Sequence, residues 1–257
     1  LIGGQVIDEQ KAAFSTLLAP DVFAQNLSKS KNGVQQDKFY PLRFFFCENW
    51  QSSLPLVALQ YHDVEIRITW GPYASSATAT SGGGAIRWDC YANFTYLDTD
   101  ERADFANKHQ NMLIYQVQRA IGIQGKVLDL AFNHPIKFLA SSNTSSSTKT
   151  GLFSVSNKIK LQINGTDITD FKFAAPHYTA VTSYYAVPYD DSNANDVFVY
   201  PFCLDTSKLQ PTGTLNFSRL DSARIVSQTD NLVDDVYAVN YNVLRIQNGM
   251  GGLMYAN

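Results

Sequence analysis

Four short segments of this chain recur later in the same order, and this duplication limits the possible folds more than any other feature. Leu1–Asp8 is matched by Leu161–Ile168, Phe39–Phe44 by Val199–Leu204, and Leu59–Ile66 by Ser218–Ile225. The offsets are 161 at Gly4 and Gly165, 160 at Pro41 and Pro201, and 159 at Ile66 and Ile225. Tyr91–Phe94 and Tyr237–Asn240 make a fourth pair at an offset of 146, a drop of 13 that places a longer connecting loop in the first copy. Short strands resemble one another, so each pair is weak alone. Four pairs in one order point to two tandem copies of one β-domain.

Period-2 alternation supports that reading. Val64–Trp70 puts apolar residues on one face and polar residues on the other, as a half-buried strand requires. Upstream, Val57, Leu59 and Tyr61 have the opposite parity, which predicts a bulge at His62–Asp63. Leu128–Phe132 and Ile159–Ile163 alternate as well. Val239, Tyr241 and Val243 alternate with Asn240 and Asn242, and parity changes again at Leu244 and Ile246. Helical signals are few. Lys11–Leu18 predicts a short helix ended by Ala19-Pro20, and Asp98–Glu101 predicts a capped start to a turn or two through Ala106. Gly71–Gly84, Ser141–Thr150 and Tyr189–Asp196 are polar enough to predict exposed loop tips. A seam at Asn107–Asn111, before the strand-like Met112–Val117, divides the chain into domains 1–108 and 109–257. The class is all-β, sandwich or barrel; periodicity does not choose between topologies.

Composition excludes several functions. Charged residues make up 17% of the 257 positions, below the roughly 25% typical of soluble domains. With 14 Tyr and 16 Phe, such a chain has packed surface to spare for other subunits. The net charge is −3 and no basic stripe is present, which argues against direct nucleic-acid binding. No stretch approaches the roughly 20 apolar residues of a membrane span. Cys47, Cys90 and Cys203 fit no zinc spacing and read as free, mostly buried thiols of a reducing compartment. His62, His109, His134 and His177 are scattered, and His62 and Asp63 would point to opposite faces of a strand. Ser81–Gly84 lacks the Lys of a phosphate loop, so it reads as a plain loop. The chain therefore predicts no catalytic, cofactor-binding or metal site. Of five Asn-x-Ser/Thr sequons, Asn93, Asn164 and Asn216 lie in or beside predicted strands; Asn143 is the best glycan acceptor and Asn26 the next.

The last third carries a resemblance. Gln210–Asp221, followed by Tyr237–Ile246 and Asn248–Asn257, closely resembles the C-terminal end of the major capsid proteins of nucleo-cytoplasmic large DNA viruses, the algal-virus branch above all. Leu54–Val64, Phe94–Arg102 and Phe132–Pro135 are similar to three further signatures of that family. The resemblance implies a tandem double jelly roll, two antiparallel β-sandwich domains, with the N-terminal strands of the first roll upstream of Leu1. A roll short of those strands would expose unpaired edges and aggregate. The resemblance also implies a structural protein, not an enzyme. Its homotrimeric, pseudo-hexagonal capsomers would tile the icosahedral shell of a large double-stranded DNA virus. The implied partners are neighbouring capsomers and minor capsid and penton proteins. The implied place is the virion, after synthesis in the host cytoplasm. Two other readings stay open from the residues. One is a carbohydrate-binding sandwich stacking sugars on Tyr184, Tyr185 or Trp50. The other is a β-sandwich hydrolase, which the missing catalytic set disfavours.

Overall fold

The computed structural model of the chain describes residues 1–11, 14, 42–67, 89–143, 149–188 and 197–256. Contacts divide the chain into two compact units. One is Leu1–Leu54 with Asn111–Arg245 and Gly252–Asn257; the other is Pro55–Gln110 with Ile246–Gly251.

The described strands are β1 (Gln110–Ala120), β2 (Val127–Asp129), β3 (Pro135–Ser142), β4 (Lys158–Ile163), β5 (Thr166–Asp167), β6 (Lys172–Phe173), β7 (Val197–Pro201), β8 (Leu215–Asn216), β9 (Ala223–Ser227), β10 (Val236–Gln247) and β11 (Met250–Leu253). Among the described residues, one sheet runs β1-β10-β3-β7, with β8 beside β3 and β11 beside β10. The second runs β2-β9-β4-β5, with β6 beside β4. The pairings β10–β3, β3–β7, β2–β9 and β4–β9 are all antiparallel. Ile136, Leu139, Phe198 and Ala238 of the first sheet share one core with Leu128, Ile159, Leu161 and Ile225 of the second. Two antiparallel sheets closing over a common core make a β-sandwich, in agreement with the all-β expectation.

The second sheet has one dry face and one wet face. Ala223, Ile225 and Ser227 of β9 are buried, while Arg224 between them is exposed and meets Asp129 directly across the ladder at 2.7 Å. Lys160 of β4 likewise reaches Asp167 at 2.6 Å on the wet side. The first sheet is buried on both sides. Successive residues of β10 alternate between two cores: Val236 and Ala238 join the sandwich core, while Tyr237 and Val239 join Phe138, Val199 and Phe14 on the opposite face. A strand covered on both faces needs a near-continuous apolar run, which Val236–Val239 supplies.

The first repeat pair is visible as a shared turn. Ile2 and Gln5 exchange both backbone hydrogen bonds at 3.0 Å around Gly3-Gly4, whose φ values are 57° and 81°. The matched Ile163 and Thr166 pair around Asn164-Gly165, with φ of 50° and 77°. Two successive positive φ values define the type I′ hairpin, which only Gly, Asn and Asp adopt cheaply. The other three pairs diverge. Ser218–Ile225 runs into β9, and Tyr237–Asn240 lies within β10. Leu59–Ile66 and Tyr91–Phe94 carry no strand, and Phe39–Pro41 lies outside the described residues.

In the smaller unit the helix Thr99–Asn107 is opened by a complete capping box. Asp98 accepts from the Thr99 amide at 2.7 Å, and Glu101 reaches back to the Asp98 amide at 3.3 Å. The half-buried strand expected from Val64 does not form over Val64–Arg67. Val64 and Ile66 are exposed instead. Alternation sets which face a strand would bury, but backbone groups are satisfied only beside a partner strand, and no described segment pairs with these residues. The expected bulge at His62–Asp63 fails for the same reason. The polar stretch from Ser141 begins differently too: Ser141 and Ser142 are the buried end of β3, where Ser141 Oγ donates to the Asp235 carbonyl at 2.7 Å. Residues 144–148, Gly71–Gly84, Tyr189–Asp196 and nearly all of Lys11–Leu18 lie outside the described residues.

Candidate interaction surface

The first sheet presents two faces, each built by different neighbours. The N-terminal segment lies along β1. Asp8 accepts from the Val117 amide at 2.9 Å, and the Glu9 amide donates to the Val117 carbonyl at 2.9 Å. Lys11 pairs with Asp235 at 2.5 Å, Arg119 approaches Glu9 at 3.4 Å, and Phe14 sits 5.0 Å from the Tyr237 ring. Burial pushes the Asp8 carboxyl up to about 7, against the opposing pull of the Val117 amide. An acid whose folded pKa lies above its unfolded value loses stability as pH rises from the unfolded to the folded pKa. Asp8→Asn keeps the acceptor and removes the charge. Chemical denaturation should show no advantage for the variant near pH 4, a gain that grows toward pH 7, and a constant gain above it. A gain independent of pH would refute this account of the segment.

Farther along the same sheet runs a buried ladder of amides. Asn240 and Asn242 both donate to Gln116 Oε1, at 3.0 and 3.3 Å. Gln118 Nε2 donates to Asn240 Oδ1 and to the Asn133 carbonyl, each at 2.8 Å, and Asn242 Nδ2 donates to the Tyr255 carbonyl at 2.9 Å. These amides tie β1, β10 and the C-terminal residues of this unit together. The alternation of β10 marks Asn240 and Asn242 as a solvated face, but both are fully buried. One signal was present in the sequence: the polar positions of β10 up to Asn242 are amides, not charges. Amides can pair with each other in a dry interior without the desolvation cost of an ion.

The surface carries aromatic side chains. Tyr184 and Tyr185 stand 80% and 77% exposed, with ring centroids 5.1 Å apart and edge to face, and Trp50 is also exposed. In the smaller unit Tyr91, Phe94 and Tyr96 are exposed. Asn143 is half-buried just past β3, and Asn26 lies outside the described residues. Asn164 is exposed at its hairpin, but its Oδ1 accepts from the Asp221 and Ser222 amides at 2.9 and 3.1 Å. Asn216 caps the turn at Ser218 at 3.0 Å. His134 is buried with φ of 68°, and its amide donates to Ser218 Oγ at 2.8 Å, a structural position. Cys203 is buried, but Cys47 and Cys90 are exposed, contrary to the expectation of mostly buried thiols. Among the described residues no group of three or more His, Cys, Asp or Glu side chains is placed to hold a metal ion. No described helix is long and apolar enough to cross a membrane.

Comparison with known proteins gives these faces a family. The model for the large eukaryotic DNA virus major capsid protein matches residues 101–252, and the model for the major capsid protein N-terminus matches residues 8–98. The major capsid protein of Pyramimonas orientalis virus is 34% identical over all of this chain and 75% of its own length. That of Paramecium bursaria Chlorella virus 1 is 29% identical over 88% of this chain and 68% of its own. Among solved structures, PBCV-1 VP54 fitted into a cryo-EM reconstruction of the virophage Sputnik is 27% identical with a TM-score of 0.63, over 84% of this chain and 70% of that one. A quasi-atomic model of the PBCV-1 capsid matches at a TM-score of 0.51 over 63% of this chain and 55% of that one. VP54 is a double jelly roll, and these relatives are structural components of virions rather than enzymes. A duplicated β pattern, an antiparallel sandwich and two adjoining family matches agree: the chain belongs to the major capsid proteins of large eukaryotic DNA viruses.

Proposed function

We propose that three copies of this chain associate into a pseudo-hexagonal capsomer, and that such capsomers tile the icosahedral shell of a large double-stranded DNA virus. The observation that carries this is the duplication, seen as the same type I′ hairpin at Gly3-Gly4 and Asn164-Gly165. Two similar wedges per chain, taken three times, give six wedges about one axis, so a threefold object acquires a sixfold outline that tiles a surface. The division into rolls at 1–108 and 109–257 is supported by the two family models, which meet between residues 98 and 101. Neighbouring capsomers, minor capsid proteins and penton proteins are the proposed partners, and the host cytoplasm the proposed place of synthesis. Asn143 and Asn26 are the proposed glycan acceptors.

Burial, not charge, holds such a trimer. An obligate interface of roughly 2,000 Å² contributes far more than surface ion pairs worth ~0–1 kcal/mol each. The exposed aromatics supply material for that burial. Light scattering should give three times the 28.6 kDa chain mass, unchanged in about 1 M salt, where surface pairs are screened. A monodisperse monomer, or a trimer that dissolves in salt, would contradict the proposal.

A further inference from the structure

A cavity of about 280 Å³ in the larger unit is lined in part by a buried lysine that makes no ion pair among the described residues. Phe45, Leu113, Ile114 and Val239 give it apolar walls, amides and hydroxyls such as Asn49 and Ser207 share the lining, and Lys137 and Tyr241 belong to it. Lys137 is 4% exposed. Its Nζ donates to the Lys208 carbonyl at 2.8 Å and lies 5.8 Å from the centre of the Tyr241 ring. No carboxylate among the described residues comes within ion-pairing distance of it. The nearby Asp205 is engaged elsewhere, accepting from the amide and hydroxyl of Ser207 at 2.8 Å each. Glu48 also lines the cavity, but it is paired with the buried Arg43 at 3.3 Å. Lys208 adds a second positive charge to the lining. Tyr241 is 8% exposed, and its hydroxyl has no hydrogen-bond partner among the described residues.

A buried ammonium with one neutral acceptor is under-satisfied, and a buried hydroxyl without a partner forfeits a hydrogen bond. Burial holds the Lys137 pKa below its usual value, and the opposing pull of Cys203 and Asp205 does not make up the loss. A single group repairs both deficits. A carboxylate offers up to four acceptor sites, pairs with an ammonium, and takes a tyrosine hydroxyl on its second oxygen. The apolar part of the lining suits a few methylenes, and the volume exceeds what one such side chain needs.

We propose that this cavity receives a carboxylate carried on a short aliphatic stem, with Lys137 as its cation and the Tyr241 hydroxyl as its second donor. The site does not depend on capsomer stoichiometry. The chemistry fits an acidic side chain of a partner segment or a small free carboxylate, and the two are separable by probe. Methyl NMR on the isotope-labelled chain near pH 7 would follow Leu113, Ile114 and Val239 during titration with N-acetyl-Ala-Glu-Ala-amide, its Gln counterpart, and butyrate. The Glu peptide should give saturable shifts at these methyls, with the Gln peptide weaker by about tenfold or more. Shifts with butyrate of similar affinity identify a free carboxylate as sufficient; shifts with the Glu peptide alone identify an acidic segment. Lys137→Met, of similar length and uncharged, should abolish binding while leaving the remaining spectrum folded. Equal shifts from Glu and Gln peptides, or none from any probe, would overturn the proposal without touching the capsomer reading.

Discussion

Asn157→Ala is expected to lower the unfolding free energy by about 3–5 kcal/mol, one of the largest effects of any substitution in this chain. Asn157 is fully buried just before β4. Its Nδ2 donates to the Gly151 carbonyl at 2.8 Å. Its Oδ1 accepts from Ser227 Oγ at 3.0 Å, the Thr229 amide at 3.1 Å and Thr229 Oγ1 at 2.9 Å. One side chain thereby fastens the Gly151 turn to the loop after β9, more than 70 residues later. Alanine leaves the Gly151 carbonyl without its donor and removes the acceptor that Ser227 and the more exposed Thr229 share, while Ser227 Oγ keeps the Asp230 carbonyl at 2.6 Å; each buried orphan costs about 1–3 kcal/mol. Asn157→Asp should do no better, since it loses the donor and buries a charge. Urea denaturation checks this. A loss below about 1 kcal/mol would mean that water or neighbouring groups replace the amide.

The second large effect is expected at Phe198, where alanine should cost about 3–5 kcal/mol. Phe198 is 1% exposed on β7, points into the core between the two sheets, and packs with its ring 5.5 Å from that of Tyr178. Its removal forfeits both transfer energy and the contacts of the cavity left behind. Phe198→Leu should cost far less, because most of the volume is kept. Tyr184→Ala is the control, expected within about 0.5 kcal/mol in the isolated chain because that ring is exposed. If Phe198 and Tyr184 gave similar losses, the sandwich core would be misplaced.

Legibility in the sequence followed the range of the interactions. The helix opened by Asp98 is a local device, complete within four residues, and was visible as a motif; the hairpin at Asn164-Gly165 is equally local, yet it was expected only as part of the repeat, in or beside a strand. The strand β4 was visible because one of its faces is wet, so Ile159 and Leu161 stand out against Lys160 and Gln162. The doubly buried sheet was harder. Ser141 reads as loop, and Asn240 and Asn242 read as solvated, because their partners Gln116 and the Asp235 carbonyl lie about 100 residues away. Asn157 and Lys137 gave no local signal at all. Their importance comes from burial, which a one-dimensional pattern does not encode for an isolated polar residue. The failure at Val64–Arg67 shows the converse. Its alternation meets every local requirement of a strand, yet no described neighbour completes the ladder.

Single-particle electron microscopy of the assembled chain tests the central claim most directly. Duplicated wedges in a threefold oligomer predict an end-on view with six nearly equal corners, whose two alternating sets differ only in detail. A three-lobed particle, or one with no threefold axis, would contradict the duplication as the basis of shell building.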